Sequence, residues 1–392
     1  MKIVQINEVY GKGSTGKICS YITELCRKEN IEVYNFSSGF WRKKGNESFS
    51  VGSRLSVKIH HFLSLVFGKE GLYSTLATKM MIKKIKEINP DIIQIHNIHG
   101  YYLNFKILFE YLNSFDGEIY WTFHDCWPFT GRCSHYSLVR CKKWKNGCDN
   151  CPQLSKYPAS LILDKSKKLW SLKKTYFSSC NNVTLIAPSN WMKAQLEQSF
   201  LNKYPIKVIH NGVDINSFYY THSNYLREKF DLGNRKILLG VSSVWDETKG
   251  IFEYIKLSNH LPCDKYVIVL VGTNNQVDKL LPDNIISIHK TSNVEELREI
   301  YCSADAFVNL TFEDTYPTVN LEALCCRLPL VTYNNCGSAE IAYENNGYVV
   351  NDFEKLVETL QSMSYEKTGF DNKMLDMNKY FEQYVKLYKG GI

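Results

Sequence analysis

Residues Ala306-Phe307-Val308-Asn309-Leu310-Thr311-Phe312-Glu313-Asp314-Thr315-Tyr316-Pro317-Thr318-Val319-Asn320-Leu321-Glu322-Ala323 read as a buried strand, a polar turn and the opening of a helix. The apolar run 306–310 is too short for a helix. Pro317 breaks the pattern just before a stretch with helical spacing over 320–326, and Leu330-Val331-Thr332 then resumes as a strand. Strand, helix and strand in this order form a βαβ unit on a parallel sheet. The junction after such a strand opens toward ligands, and the first turn of the helix carries unpaired N–H groups that attract anions or hydroxyl oxygens. Asp314 in the turn and Glu322 in the helix are eight positions apart across this junction. A carboxylate in the turn is placed to accept hydrogen bonds from sugar hydroxyls, and one in the helix to hold a ribose diol. The structural alternative is an acidic pair capping a surface helix.

The alternation extends in both directions. Strands are expected at 2–6, 32–36, 92–96, 119–123 and 183–187, and then at 236–242, 266–272, 285–288, 306–310 and 330–332. Helical patterns lie between them, among others at 17–28, 76–88, 191–200, 251–259, 294–303 and 320–326. A chain of 392 residues exceeds what one core organises, so two domains are expected. The turn His210-Asn211-Gly212-Val213-Asp214 marks the boundary, which gives domains 1–210 and 211–371. A helix within 372–390 is expected to pack back on the first domain. The fold class is thus α/β: two doubly wound, Rossmann-like parallel-sheet domains, with ligands where the carboxyl ends of the strands meet.

Hydrophobic residues at 44% and charged residues at 22% describe an ordinary globular chain. Met1-Lys2-Ile3-Val4-Gln5-Ile6 reads as a strand rather than a secretion signal. No run is long enough to span a bilayer. A cytoplasmic location is expected, with most of the thirteen cysteines free and Cys19, Cys26, Cys325 and Cys326 acting as small buried hydrophobes. Residues 1–200 carry 28 Lys+Arg against 15 Asp+Glu, and the remainder 19 against 25. A basic first half suits an anionic membrane surface, a nucleic acid or a phosphorylated acceptor; it is also what a merely solvated face looks like.

The 306–324 segment resembles the signature of the family 4 retaining glycosyltransferases of the GT-B fold: two acids separated by seven residues, followed by Glu-Ala. The resemblance implies that Asp314, or Glu313 if the loop is shifted, contacts the donor sugar, and that Glu322 holds the nucleotide ribose. Tyr316, Pro317 and Thr318 would line the same pocket. A second match is Ser242-Ser243-Val244-Trp245-Asp246-Glu247-Thr248-Lys249-Gly250, where Lys249 and the N–H groups of a helix start meet a diphosphate. The family's arginine, about five residues earlier, is replaced here by Ser243-Val244, so the grip leans on Lys249, serine and backbone donors, with Arg327 as a weak further candidate. Cys336-Gly337-Ser338-Ala339-Glu340 resembles the family's Gly-rich turn into an acidic helix start. The resemblance implies no cofactor for catalysis.

In the first half, Gly11-Lys12-Gly13-Ser14-Thr15-Gly16-Lys17 follows the first strand. It fails as a P-loop because Ile18 replaces the metal-binding hydroxyl, but it satisfies the dinucleotide spacing, with Glu32 as the candidate acid. The resemblance assigns it instead to a turn where Gly13, Ser14 and Thr15 meet the donor diphosphate. His124-Asp125 follows the strand at 119–123, with His124 near the transferred sugar and Asp125 orienting it or binding a hydroxyl. Asn97 and His99 are a second pair, on the acceptor side. Cys133, Cys141, Cys148 and Cys151 lie close together, the last two at the C-x₂-C spacing of zinc, with His135 as a reserve ligand. A structural zinc, free thiols and a disulfide all remain open. The stretch 54–69, with Lys79, Lys83, Lys84 and Lys86 beyond it, reads as a basic, apolar-faced helix suited either to a membrane surface or to core packing.

The function expected is transfer of a sugar from a nucleoside diphosphate sugar to a glycan hydroxyl, lipid-linked, in surface-polysaccharide assembly (O-antigen, capsule or exopolysaccharide). Peripheral contact with the inner face of the membrane is expected. An epimerase of nucleotide sugars and a non-catalytic sugar-nucleotide or nucleic-acid binder are the alternatives, although no nucleic-acid module is evident.

Overall fold

A computed structural model describes residues 1–40, 47–344 and 347–391. The chain divides into two compact units, Met1–His210 with Phe381–Ile392, and Asn211–Tyr380. The first unit holds β1 (Lys2–Ile6), β2 (Glu32–Ser38), β3 (Ser48–Val51), β4 (Ile92–Ile95), β5 (Glu118–Thr122), β6 (Val183–Ala187) and β7 (Ile206–Val208). They form one parallel sheet in the order β3-β2-β1-β4-β5-β6-β7. The second unit holds β8 (Lys236–Val241), β9 (Tyr266–Val271), β10 (Ile285–Ile288), β11 (Ala306–Asn309), β12 (Leu330–Tyr333) and β13 (Tyr348–Val350). Their order is β10-β9-β8-β11-β12-β13, again parallel. The chain reverses its winding between β1 and β4 in one sheet and between β8 and β11 in the other. In doubly wound sheets ligands bind outside the carboxyl ends of the strands at such switch points.

The central strands are buried on both faces, as helix-covered parallel sheets require: Ile3, Val4, Ile6, Ile93 and Ile95 are each fully buried. Three strands escape the sequence reading, namely β3, β7 and β13. All three are outermost in their sheets. An edge strand pairs on one side only and tolerates polar and half-exposed residues, so Ser48-Phe49-Ser50-Val51 carries little periodic signal.

The C-terminal helix Met377–Tyr388 rejoins the first unit from Phe381 onward. Tyr384 and Tyr388 are buried, with Tyr384 Oη 3.1 Å from Thr122 Oγ1 and Tyr388 Oη donating to Gln94 Oε1 at 2.8 Å. Phe381, Tyr384, Val385, Leu387 and Tyr388 all face inward, each contributing about 1.5–3 kcal/mol of burial. The four cysteines expected to act as core hydrophobes, Cys19, Cys26, Cys325 and Cys326, are all buried.

Helix Arg54–Phe67 is amphipathic in an unusual sense. It buries Val57, His60 and Ser64 but leaves Leu55, Ile59 and Phe62 more than half exposed. His60 is locked neutral: Nδ1 lies 2.8 Å from Ser74 Oγ, Nε2 accepts from the Gly71 N–H at 3.2 Å, and burial lowers its pKa to about 3. Leu161 and Ile162 are also largely exposed, and the Leu161 N–H donates to Leu65 O at the end of this helix. Among the described residues no helix is long and apolar enough to cross a membrane.

Candidate active site

In the second unit the loops after β8 and β11 meet at the switch point. Phe312 N–H and Thr311 Oγ1 both donate to Thr248 O, at 2.8 and 3.2 Å, and these bonds tie the two loops together. Asp246 Oδ1 accepts from the N–H groups of Thr248 and Lys249, folding its loop into a tight turn. Gly250 closes the turn at φ +77°, where a β-carbon would overlap the Leu310 carbonyl, and helix Ile251–His260 starts from it. Lys249 is thereby carried to Asp314: its Nζ lies 2.8 Å from Asp314 Oδ2 and 3.2 Å from Glu313 O. Burial alone would lower the Lys249 pKa, but the Asp314 carboxylate outweighs it and the pKa is raised. The ammonium is therefore permanent in the physiological range.

Glu313 and Asp314, left open as alternatives by the sequence, have different surroundings. Glu313 is buried, whereas the Asp314 side chain is about a quarter exposed and paired with Lys249. Pro317 precedes helix Thr318–Cys325, which places Glu322 in its second turn. One Glu322 oxygen accepts from Tyr301 Oη at 2.9 Å, which fixes the carboxylate against a fully buried ring. Tyr316 is itself buried, and its carbonyl accepts from Asn211 Nδ2 at 3.1 Å, so its part is to brace the loop. Thr318 lies in the first turn and is half-buried, while Ser243 is exposed in the loop after β8. Arg327 is placed elsewhere: it follows the far end of the helix, just before β12, at the opposite edge of the sheet from Lys249. It therefore drops out as a phosphate ligand.

A polar network that the sequence did not suggest lies under this loop. Asn309 Nδ2 donates to Asn320 Oδ1 at 2.6 Å, Asn320 Nδ2 to Ser338 Oγ at 2.9 Å, and Ser338 Oγ lies 2.7 Å from Thr332 Oγ1. Asn320, Thr332 and Ser338 are fully buried. Gly337 N–H also donates to Asp314 O at 3.0 Å. Helix Cys336–Glu344 is thus bonded through its first turn both to the carboxylate loop and to helix Thr318–Cys325. Satisfied buried networks of this kind rigidify the element they join.

In the first unit the loops after β1, β4 and β5 converge. Helix Gly13–Lys28 begins earlier than its apolar spacing indicates, because Gly13, Ser14 and Thr15 form its first turn. Gly11 and Gly13 have φ +68° and +61°, and space is open where a Gly13 β-carbon would lie. The dinucleotide alternative fails on register. Glu32 pairs with Lys2 at the amino edge of the sheet, whereas the glycine loop follows Ile6 at the carboxyl edge, roughly 15 Å away. Glu32 instead accepts from Tyr34 Oη at 2.7 Å.

The orienting role expected of Asp125 is directed to His99 rather than to its neighbour His124. His99 Nε2 lies 2.6 Å from Asp125 Oδ2, and His99 Nδ1 lies 3.0 Å from Tyr157 Oη. Burial opposes both charges, but the pair overrides it, raising His99 to about 9 and holding Asp125 at about 2. His124 Nε2 instead lies 3.0 Å from His96 Nδ1, and burial lowers the His124 pKa to about 4. His124 is thus a neutral imidazole near pH 7, suited to hydrogen bonding rather than to carrying charge. The half-buried Asn97 joins the β1 and β4 loops through its backbone: its N–H donates to Asn7 Oδ1 at 3.1 Å and its carbonyl accepts from Glu8 N–H at 3.0 Å. Tyr157 and His96 are partners that sequence reasoning missed, since neither has a local signature.

Two family models match. One, described as Glycosyltransferase Family 4, takes in residues 19–217, and the other, Glycosyl transferases group 1, residues 224–384. The chain belongs to glycosyltransferase family 4. Its relatives include a putative colanic acid biosynthesis glycosyl transferase, WcaC of Escherichia coli K12, 25% identical over 68% of this chain and 65% of that protein. Another is the processive diacylglycerol alpha-glucosyltransferase of Acholeplasma laidlawii, 26% identical over 38% of this chain and 47% of that protein. The chain thus spans less than two thirds of either relative. Among solved structures, sucrose-phosphate synthase of Thermosynechococcus elongatus superposes with a TM-score of 0.72 at 15% identity, over 99% of this chain and 98% of that one. WaaG, a glycosyltransferase involved in lipopolysaccharide biosynthesis, gives 0.69 at 16% identity over 99% and 100%. Anabaena HepE in complex with UDP gives 0.65 at 14% identity over 100% of both chains. These superpositions fix the fold of this family 4 chain as GT-B, two parallel-sheet α/β units.

Proposed function

We propose that this family 4 chain transfers a sugar, with retention of anomeric configuration, from a nucleoside diphosphate sugar to a hydroxyl of a growing surface glycan carried on lipid. The observation that carries the reading is Lys249 held against Asp314 at the β8/β11 switch point, with Glu322 fixed by Tyr301 one helix turn further on. Lys249 and the first turn of helix Ile251–His260 stabilise the negative charge that develops on the departing diphosphate. The bond from the anomeric carbon to the diphosphate breaks, a bond to the acceptor oxygen forms on the same face, and the acceptor's proton leaves with the diphosphate. Glu322 is the ribose ligand, and Asp314 or Glu313 the sugar ligand. Gly13, Ser14 and Thr15 offer N–H groups to the phosphates, while His124 is the hydrogen-bonding partner of the transferred sugar. Asn97, His99 and Asp125 serve the acceptor side. The HepE complexes with UDP and UDP-glucose support a uridine donor, and the names of WcaC and WaaG support a polysaccharide or lipopolysaccharide setting.

A panel of nucleoside diphosphate sugars, read by mass spectrometry with and without a lipid-linked glycan, tests the reading. One donor is expected to be consumed with release of its nucleoside diphosphate, and Glu322→Ala to lower that turnover by a factor of about 10–100. Unchanged turnover in this variant would remove Glu322 as the ribose ligand, and epimerised donor without diphosphate release would overturn the proposed reaction.

Peripheral contact with an anionic membrane is part of the same proposal. It is supported by the exposed Leu55, Ile59 and Phe62 on helix Arg54–Phe67, which also carries Arg54 and exposed Lys58. The chain is expected to co-sediment with anionic vesicles at low salt, less so at high salt, and Ile59→Glu/Phe62→Glu to abolish it. Failure to bind at low salt counts against it.

A further inference from the structure

Between Phe129 and helix Ser166–Phe177 the chain has no element beyond the short 3₁₀ turn Lys143–Lys145. Irregular segments of this length inside a compact unit need an internal fastener. The fastening residues converge: Cys133, Cys141, Cys148 and Cys151 line one small cavity together with Arg132 and Trp144. His135, the reserve ligand read from the sequence, does not line it.

Burial raises the pKa of Cys133, Cys148 and Cys151, so these sulfurs are thiols until a metal displaces the proton, but backbone groups already bond two of them. Gly131 N–H donates to Cys148 Sγ at 3.1 Å, and the backbone of Gln153 bonds Cys151 from two residues beyond it. Such N–H···S bonds support metal-bound sulfur. Only glycine permits the first of them, because a β-carbon at position 131 would stand 2.7 Å from Cys148 Cβ. Two buried basic side chains lie near the cluster. Lys173 is fully buried, with Nζ donating to Trp127 O and Thr130 O. Arg132 is 3% exposed, and its Nε and Nη1 are buried without hydrogen-bond partners. Its Nη2 donates to Pro158 O and the Asp164 carboxylate interacts with it, while the two unbonded nitrogens favour further negative charge beside them. Four thiolates around a divalent ion leave a net charge of −2, toward which Arg132 supplies a neighbouring positive charge; Lys173 already interacts with buried Glu70, and burial lowers its pKa to about 7.

We propose that these four cysteines bind one structural Zn²⁺, independently of the sugar-transfer site. No three of their sulfurs lie within 4.8 Å of one another, whereas a tetrahedral zinc thiolate has edges of about 3.8 Å. Binding draws the sulfurs inward, a change that irregular backbone absorbs. The metal staples the segment that carries Tyr157 to His99. No catalytic role follows, since four protein ligands leave no open position.

Metal analysis of the purified full-length chain after gel filtration tests this. The expected result is about one zinc per chain, released by a thiol-blocking mercurial and falling below about a tenth in Cys148→Ser/Cys151→Ser. Cys263→Ser, which alters an exposed cysteine elsewhere, keeps the metal. Cobalt(II) substitution of the intact chain keeps the test decisive if the double variant fails to fold. Thiolate-to-metal charge-transfer bands with intense tetrahedral visible bands support the site. An octahedral spectrum, substoichiometric zinc in the wild-type chain, or a disulfide among the four cysteines overturns it.

Discussion

Lys249→Ala lowers the turnover number for sugar transfer by a factor of about 10²–10³, equivalent to about 3–4 kcal/mol of lost transition-state stabilisation. On the proposed reading Lys249 is the cation presented to the donor diphosphate, and the arginine that the family resemblance would add to it is absent, with Ser243 and Val244 in its region. Deletion also strands Asp314, whose carboxylate now pairs with the ammonium at 2.8 Å. On the proposed reading the variant therefore carries an unbalanced carboxylate where the leaving diphosphate accumulates charge. Lys249→Arg restores charge but not reach, because the pocket also uses Glu313 O as a partner at 3.2 Å, and it recovers only part of the rate. Steady-state kinetics on the donor identified by the panel separate the terms. A loss in turnover number with little change in KM marks transition-state stabilisation, and an effect confined to KM would show that Lys249 merely binds the donor.

Gly250→Ala destabilises the second unit by about 3 kcal/mol or more, and it removes activity by displacing Lys249. Its φ of +77° would cost an alanine about 1 kcal/mol on its own. The larger part comes from overlap of the new β-carbon with the Leu310 carbonyl, which belongs to the rigid stretch after β11 and cannot move aside. Gly233 supplies the control. It has φ +56° with nothing within 4 Å of a β-carbon, so Gly233→Ala pays only the conformational cost of about 1 kcal/mol. Urea midpoints for the two variants should differ accordingly. Equal midpoints would mean that close backbone approach at Gly250 does not hold the donor loop.

Sheet architecture was legible because the central strands of a parallel sheet are buried on both faces and so spell uninterrupted apolar runs such as Val267-Ile268-Val269-Leu270-Val271. The edges β3, β7 and β13 were not, since one-sided pairing asks for no such run. The site divides along a similar line. Asp314, Glu322 and Lys249 could be named because local motifs place them at strand ends and helix starts, where any doubly wound sheet exposes its loops. Tyr301, which holds Glu322, and the Asn309–Asn320–Ser338–Thr332 network lie on separate elements and carry no local pattern.

By itself, then, the sequence determined the alternation of strands and helices, the location of the two acidic positions and the lysine, and the clustering of four cysteines in one segment. Those features follow from periodicity and short-range spacing. Only the tertiary structure decided which groups pair: Lys249 with Asp314, Asp125 with His99 rather than His124, and Glu32 at the wrong edge of the sheet for a dinucleotide. Pairing depends on strand order and register, which bring residues distant in sequence within 3 Å, and one strand's sequence does not say which strand lies beside it.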